Sequence, residues 1–197
     1  MNHYFKSTHK NPLNRKRIPF RFLGVDIEFE SHENIFSKDH VDEGTQLLLS
    51  SLPTLQNDSK ILDLGCGYGV VGITIKKLYP LTSVQCSDIN EDALALCELN
   101  ANLNKVEVQC IHSDGFQNIQ QSFDWILFNP PIRIGKAILF PLYLECMKHL
   151  ENNNGTLWMV IRKDKGAQST INFLKEQGYQ VKKITQEKGF WIIACTH

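Results

Sequence analysis

Ile61-Leu62-Asp63-Leu64-Gly65-Cys66-Gly67-Tyr68-Gly69 is a short apolar run that breaks into three alternating glycines. Ile61 to Leu64 has the length and composition of a buried strand. Val70 to Tyr79 then carries helical spacing and is stopped by Pro80. Glycines between a strand and a helix let the backbone bend tightly and approach a ligand closely. The helix N-terminus adds free N–H groups and a partial positive charge. Such a turn suits the anionic part of a nucleotide-like cofactor, either a pyrophosphate or an amino-acid carboxylate.

Downstream the alternation continues. Ser83 to Cys86 reads as the second strand and Glu91 to Asn102 as the second helix, with Asp88, Asn90 or both as its cap. Val106 to Ile111 and Phe123 to Phe128 are the third and fourth strands, followed by a helix from about Lys136 to Leu150. Gly155 to Ile161 is the fifth strand, and Gln168 to Gln177 a helix ended by Gly178. Gln180 to Thr185 and Phe190 to Cys195 are the last two strands. The link between them is far shorter than a parallel crossover requires, so one of the pair runs antiparallel to its neighbour. The expected class is α/β: a mainly parallel seven-stranded sheet with helices on both faces and a C-terminal antiparallel hairpin. Upstream, Ile18 to Glu30 alternates around Gly24 as a β-hairpin, and Val41 to Ser51 has helical spacing with Asp39 or His40 near its start. The expected organisation is a basic arm over 1–17 and one domain over 18–197. Within that domain, 18–58 holds the hairpin and first helix, and 59–197 the α/β core.

The bulk composition fits that picture. The chain has 197 residues, enough for one domain with a full core, and its 42% apolar and 21% charged content is that of a soluble globular protein. Its longest nearly unbroken apolar stretch, Ala137 to Leu144, is far short of the ~20 residues a membrane helix needs. Met1 to Lys6 lacks an apolar signal core, so a cytoplasmic protein without membrane partners is expected. The cysteines at 66, 86, 97, 110, 146 and 195 contain no Cys-x-x-Cys pair, which argues against a disulfide framework or a metal site and for a reducing compartment. Net charge is zero, which argues against a broadly basic nucleic-acid binder. The charge is unevenly spread, however. Lys6, Lys10, Arg15, Lys16, Arg17 and Arg21 precede the first acidic residue, Asp26, and form an arm able to touch phosphates.

Candidate ligand groups sit at the strand ends. Asp63 is poorly suited to pyrophosphate but suits a cationic group. Asp88 closes the second strand, where a carboxylate accepts from two ribose hydroxyls. Ser113-Asp114, after the third strand, can engage an adenine amino group. The fourth strand ends in Phe128-Asn129-Pro130-Pro131-Ile132. Two consecutive prolines cannot donate to a ladder, so the strand stops there, and Asn129 is held extended. A stiff strand end with a side-chain amide and bare carbonyls, paired with the glycine turn, points to methyl transfer onto a planar nitrogen. The lone pair of such a nitrogen is delocalised. Accepting its two N–H bonds at the Asn129 oxygen and the Pro130 carbonyl directs that pair at the methyl group. Asn129 and Pro130 are thus the candidate catalytic residues. Ile132, Arg133 and Lys136 are the candidate substrate contacts, apolar in the first case and to phosphate or a base edge in the others.

From Lys60 onward these residues resemble the class I S-adenosylmethionine-dependent methyltransferases, with their Rossmann-like fold. The resemblance implies S-adenosyl-L-methionine as cofactor. Its methionine moiety would lie over Gly65-Cys66-Gly67, its ribose at Asp88, and its adenine near Ile89 and Asp114. It also assigns Asp63 and Asn129 to the cofactor site. Asn34-Ile35-Phe36-Ser37-Lys38-Asp39-His40-Val41-Asp42-Glu43-Gly44-Thr45-Gln46-Leu47-Leu48-Leu49, Ile132 to Lys136 and Trp158 to Ala167 are similar to the short, single-domain members of the small-subunit ribosomal RNA methyltransferase C family. That resemblance implies N2-methylation of a guanine in 16S ribosomal RNA, with ribosomal RNA or the small subunit as partner and Phe36 over the cofactor or substrate mouth. The longer members carry a further N-terminal domain for which this chain has no room. Most of the family has an aromatic residue where this chain has Ile132. The competing readings are a protein glutamine amide methyltransferase, a nicotinamide-dependent oxidoreductase, and a cofactor-binding module without turnover. Against the oxidoreductase, Val70 stands where the third glycine of G-x-G-x-x-G belongs.

Overall fold

The computed structural model describes residues 15–32, 39–151 and 154–197. A hairpin of β1 (Lys16–Phe22) and β2 (Val25–Ser31) precedes α1 (Glu43–Ser50). The core then runs β3 (Lys60–Leu64), α2 (Val70–Leu78), β4 (Ser83–Asp88), α3 (Glu91–Leu103), β5 (Gln109–His112) and β6 (Trp125–Phe128). It ends with α4 (Lys136–Lys148), β7 (Thr156–Arg162), α5 (Ala167–Glu176), β8 (Gln180–Glu187) and β9 (Phe190–Thr196). Seven strands form one sheet in the order β5-β4-β3-β6-β7-β9-β8. β9 is the strand that runs against the rest: it pairs antiparallel with both β7 and β8. No helix of the described residues is long and apolar enough to cross a membrane.

Alternation within each strand feeds two cores, as a sheet buried on both faces requires. Ile61, Leu127, Trp158 and Val160 point to the face covered by α1, α2 and α3. Leu62, Ile126, Phe128, Leu157, Met159 and Ile161 point to the face covered by α4 and α5.

Several expected boundaries move. The strand expected over Val106 to Ile111 is confined to Gln109–His112, because β5 is an edge strand that pairs only where β4 lies beside it. The fourth strand begins at Trp125, not Phe123, which makes an isolated bridge to Leu150. The cap of α1 is Asp42, not Asp39 or His40: its side chain accepts from the Thr45 N–H. Residues 16 and 17 of the expected basic arm belong to β1. Arg15, Lys16, Arg17 and Arg21 are ion-paired with Glu30, Asp39, Glu28 and Asp26, so β1 meets a matching acidic set, three of whose members lie on β2. Lys6 and Lys10 lie outside the described residues.

Two asparagines moor the hairpin to the core. Asn100 Oδ1 accepts from the Glu30 N–H at 2.7 Å, and its Nδ2 donates to the carbonyls of Glu30 (3.0 Å) and Tyr68 (2.9 Å). Asn104 repeats the pattern on Glu28, at 3.1 Å and 2.8 Å. Four residues of helix rise about 6.0 Å and two of strand about 6.8 Å, so side chains at i and i+4 of α3 match alternate backbone units of β2. The open edge of β2 is thereby completed by side-chain amides. Pro19, opposite Glu28, is tolerated because that register position directs its hydrogen bonds outward.

Asp63, in the middle of the sheet, faces α2 and is buried. Its Oδ2 accepts from the Gly72 N–H at 2.8 Å, tying β3 to the first turn of α2. Burial, helped by the nearby Asp88 charge, pushes its carboxyl from 3.8 up to about 7 despite that hydrogen bond.

Asn100→Ala leaves the Glu30 and Tyr68 backbone groups unpaired in a buried setting, and urea titration should show a loss of roughly 2–3 kcal/mol. For Asp63, the folded chain binds a proton more tightly than the unfolded one, so its contribution is full below about pH 4 and disappears as pH rises through 7. The unfolding free energy of wild type minus that of Asp63→Asn should fall by up to about 4 kcal/mol between pH 4 and pH 8. A flat difference would contradict the buried acid.

Candidate active site

Strand register brings the two motifs together. β3 and β6 pair in parallel with Leu64 opposite Phe128, so Gly65 and Asn129 leave adjacent strands at the same level. The chain leaves β3 toward β4 on one side and β6 toward β7 on the other. The carboxyl ends of β3 and β6 therefore border the switch point where open α/β sheets bind ligands.

The glycines divide their work. Gly65 and Gly67 have φ of +66° and +55°, and a Cβ on Gly67 would meet nothing within 4 Å. These two give the backbone its turn and leave room above it. Gly69 is pressed by packing: a Cβ there would lie 2.6 Å from the Cys97 sulfur. Asp88 holds the turn from the next strand. Its Oδ2 accepts from the Gly67 N–H at 2.8 Å and its Oδ1 from the Asn90 N–H at 2.9 Å. Each oxygen keeps a second lone pair, and the residue is half-buried, so a diol can still be bound. Ile89, next along, is 61% exposed, an apolar surface at the position expected to meet adenine. His112 fixes that segment through a 2.9 Å contact to the Ile89 carbonyl. An open glycine turn, an acceptor pair at β4 and an exposed aliphatic side chain beside it fit S-adenosylmethionine.

The other expected contacts stand differently. Ser113 is buried, its hydroxyl donating to the Gly115 carbonyl at 2.9 Å and accepting from the Asn118 N–H at 3.1 Å, so it shapes the loop after β5. Asp114 beside it is exposed. Asp63 faces inward, bound to Gly72, and acts on the turn from beneath.

Cys66 lies under the turn. The sulfurs of Cys66, Cys86 and Cys97 are all within 4.8 Å of one another, and Cys110 Sγ is 3.6 Å from Cys97 Sγ. This spacing places three thiols within reach of one thiophilic ion, an arrangement the absence of Cys-x-x-Cys does not reveal. Hydrogen bonds from Cys86 and Cys97 draw the Cys66 thiol below its usual range. The thiol contacts and burial push Cys86 and Cys110 above theirs. The sulfurs also fill the space facing Gly69 and Gly72. These thiols pack as small apolar groups in the core cluster under the turn.

After β6, Pro131 opens a short 3-10 turn, Ile132–Ile134, its carbonyl accepting from the Ile134 N–H at 3.0 Å. Pro130 is buried and its carbonyl takes no turn hydrogen bond among the described residues. Ile132 is half-buried against the α4–α5 core, whereas Arg133 and Lys136 are exposed at the start of α4. Arg162 ends β7, the neighbouring strand, and Lys163 and Lys165 follow it, so basic side chains gather at the same carboxyl end of the sheet. Phe36 lies outside the described residues.

Asn129 has a partner that the sequence does not announce. It shares a strand face with Leu127, toward α1, and its Nδ2 donates to Thr45 Oγ1 at 3.0 Å across 84 residues. The Thr45 hydroxyl in turn donates to Asp42 Oδ2. An Asp three residues ahead of a Thr at the start of an apolar run is a legible helix start; its contact with Asn129 is not legible. A cleft of about 710 Å³ between Lys76, Thr82, Glu98 and Val106 opens at the amino end of β4, the edge away from these groups.

Residues 26–194 match the methyltransferase small domain family. A Bacillus subtilis protein named as uncharacterized, YbxB, is 36% identical over 194 residues, 97% of this chain and 96% of that protein. Ribosomal RNA small subunit methyltransferase C of Shewanella oneidensis is 46% identical over 103 residues, 52% of this chain and 30% of that protein. Its counterpart in Shewanella sp. strain MR-4 is 45% identical over 131 residues, 64% of this chain and 37% of that protein. The chain thus spans about a third of the length of these two relatives. Among solved structures, the Thermus thermophilus 16S rRNA N2 G1207 methyltransferase, in complex with AdoMet and guanosine, superposes with a TM-score of 0.83 at 21% identity, over 97% of this chain and 53% of that one. With the family match over most of its length and a full-length relative above 30% identity, the chain belongs to the methyltransferase small domain family of S-adenosylmethionine-dependent methyltransferases.

Proposed function

We propose that this protein methylates the exocyclic N2 of a guanine in small-subunit ribosomal RNA. The observation that carries the reading is Asn129, level with Gly65 on the adjacent strand, with its Oδ1 taking no hydrogen bond from the described residues. Bound S-adenosylmethionine supplies an electrophilic methyl group at a sulfonium. The chain's own task is to present a weakly nucleophilic amine to it. Asn129 Oδ1 accepts one N–H of that amine and the Pro130 carbonyl the other, which fixes the plane of the group and points its lone pair out of the ring plane. Both acceptors gain strength as positive charge develops on nitrogen, so they favour the transition state over the bound substrate. The proton leaves to water after transfer, so no strong base is needed beforehand.

The target class rests on the named relatives and on charge. Arg133 and Lys136 flank the acceptors, with Arg162 at the end of β7 and Lys163 and Lys165 in the turn after it, where Asp164 pairs with Arg162 and Lys165 and leaves a net positive charge suited to phosphates beside a presented base.

Incubation with labelled cofactor and small subunits from cells lacking the protein should produce N2-methylguanosine, read by nucleoside mass spectrometry. Methyl incorporation into a release-factor glutamine instead of RNA would overturn the substrate. Asn129→Ala should lower kcat by about 100-fold or more while cofactor affinity stays within about threefold. Undiminished turnover would remove Asn129 from the chemistry. The Arg133→Gln, Lys136→Gln double variant should weaken RNA binding and flatten the log Kd against log salt slope by about 1.4, two phosphate contacts on a single strand.

A further inference from the structure

We infer that Asp42 and Thr45 are positioning residues that set which end of the Asn129 amide faces the substrate. This rests on the proposed role of Asn129 Oδ1 as acceptor, and it concerns residues on α1, outside both motifs. An amide end is ambiguous: turned over, Asn129 would present NH₂ to an amine, donor against donor. The direction is fixed by a one-way chain. An ionised carboxylate only accepts, so the Thr45 hydroxyl must spend its single proton on Asp42 Oδ2. Toward Asn129 the hydroxyl is then left with lone pairs alone, and only Nδ2 can face it, at 3.0 Å. Oδ1 is thereby turned away from α1.

The chain is held rigidly at its far end. Asp42 Oδ1 accepts from the Thr45 N–H at 3.1 Å, so both carboxylate oxygens are engaged by one residue and the rotamer of each is locked by the other. Thr45 is buried. Gly44 has no room for a side chain: a Cβ would lie 3.0 Å from both Asp42 Oδ1 and the Phe190 ring. Lys188, in the β8–β9 turn, bonds Glu43 Oε1 at 2.9 Å and fastens the start of α1 to the sheet. The Asp-x-Gly-Thr spacing therefore does more than start a helix.

The decisive substitution is Asp42→Asn. Asparagine is as good an N-cap, so a purely structural role predicts no change. The relay predicts a loss, because a neutral amide can donate to the Thr45 hydroxyl and release its proton toward Asn129, which then turns over. Asp42→Asn and Thr45→Val should each lower kcat on ribosomal RNA about ten- to hundredfold with cofactor Kd unchanged. Thr45→Ser should restore most of the rate, and combining Asp42→Asn with Thr45→Val should cost no more than Thr45→Val alone.

A second readout needs no substrate. In ¹⁵N-labelled cofactor-free protein, the Asn129 side-chain amide resonances, assigned by their loss in Asn129→Asp, should exchange with water slowly in wild type and at least about tenfold faster in Thr45→Val. If wild type methylates no RNA, the substrate reading fails while this exchange measurement still decides the relay. Exchange unaltered by Thr45→Val, or an Asp42→Asn variant with wild-type kcat, would overturn it.

Discussion

The parallel pairing of β3 with β6 is the constraint on which the site depends. The glycine turn and the Asn-Pro-Pro strand end are far apart in the chain, and neither alone defines a reaction. With Leu64 opposite Phe128, both strands end at one level, and the turn and the amide are neighbours. A one-residue slip would send Asn129 to the α4–α5 face, because side chains alternate along a strand. Register is protected by burial on both faces, where Ile126, Leu127 and Phe128 are almost wholly excluded from solvent. The hydrophobic effect that forms the sheet therefore also fixes where the glycine turn and the Asn129 amide meet.

A second constraint comes from outside the sheet. α1 is short and is placed by distant strands: it packs on β7 and β9, with Gly44 against Phe190, and its Thr45 bonds Asn129 just after β6. Asn100 serves a similar purpose elsewhere, joining Glu30 of the hairpin to Tyr68 of the glycine turn through one amide. In both cases a single buried polar side chain connects pieces that hydrophobic packing would leave free to shift. Such connections fix position well because a buried polar group left unpaired is costly.

This division explains what was legible in the sequence. Strand and helix order, the antiparallel end, the glycine turn and the Asn-Pro-Pro stop all follow from local rules of periodicity, backbone freedom and proline geometry. Asp88 was legible as a strand-end carboxylate, though its two bonds to Gly67 and Asn90 were not. Thr45 and Asn100 looked like ordinary helix residues and Asn104 like the link after one, because their partners lie 84, 70 and 76 residues away. Asp63 reads as a ligand group in the sequence, and its brace to the Gly72 N–H was not legible there, because that partner is fixed only by the packing of α2 on the sheet. The four converging thiols were invisible for the same reason: Cys66, Cys86, Cys97 and Cys110 come from a loop, two strands and a helix.

On the proposed amine methylation, Ile132 sharpens what the Asn129 and Pro130 acceptors would have to do. A base stacked on an aromatic ring gains about 1–3 kcal/mol, and an aliphatic contact gives less. Ile132 is itself partly turned into the α4–α5 core, so its free face is small. Orientation of the target amine must then come mainly from hydrogen bonds, whose energy depends steeply on angle. A flexible acceptor would squander that dependence by following the substrate through several poses. An acceptor whose other end is held by Thr45, itself held by Asp42, cannot follow, and under the proposed reaction it would select the one pose in which the lone pair is directed correctly. The weaker the stacking surface, the more the reaction depends on that rigidity.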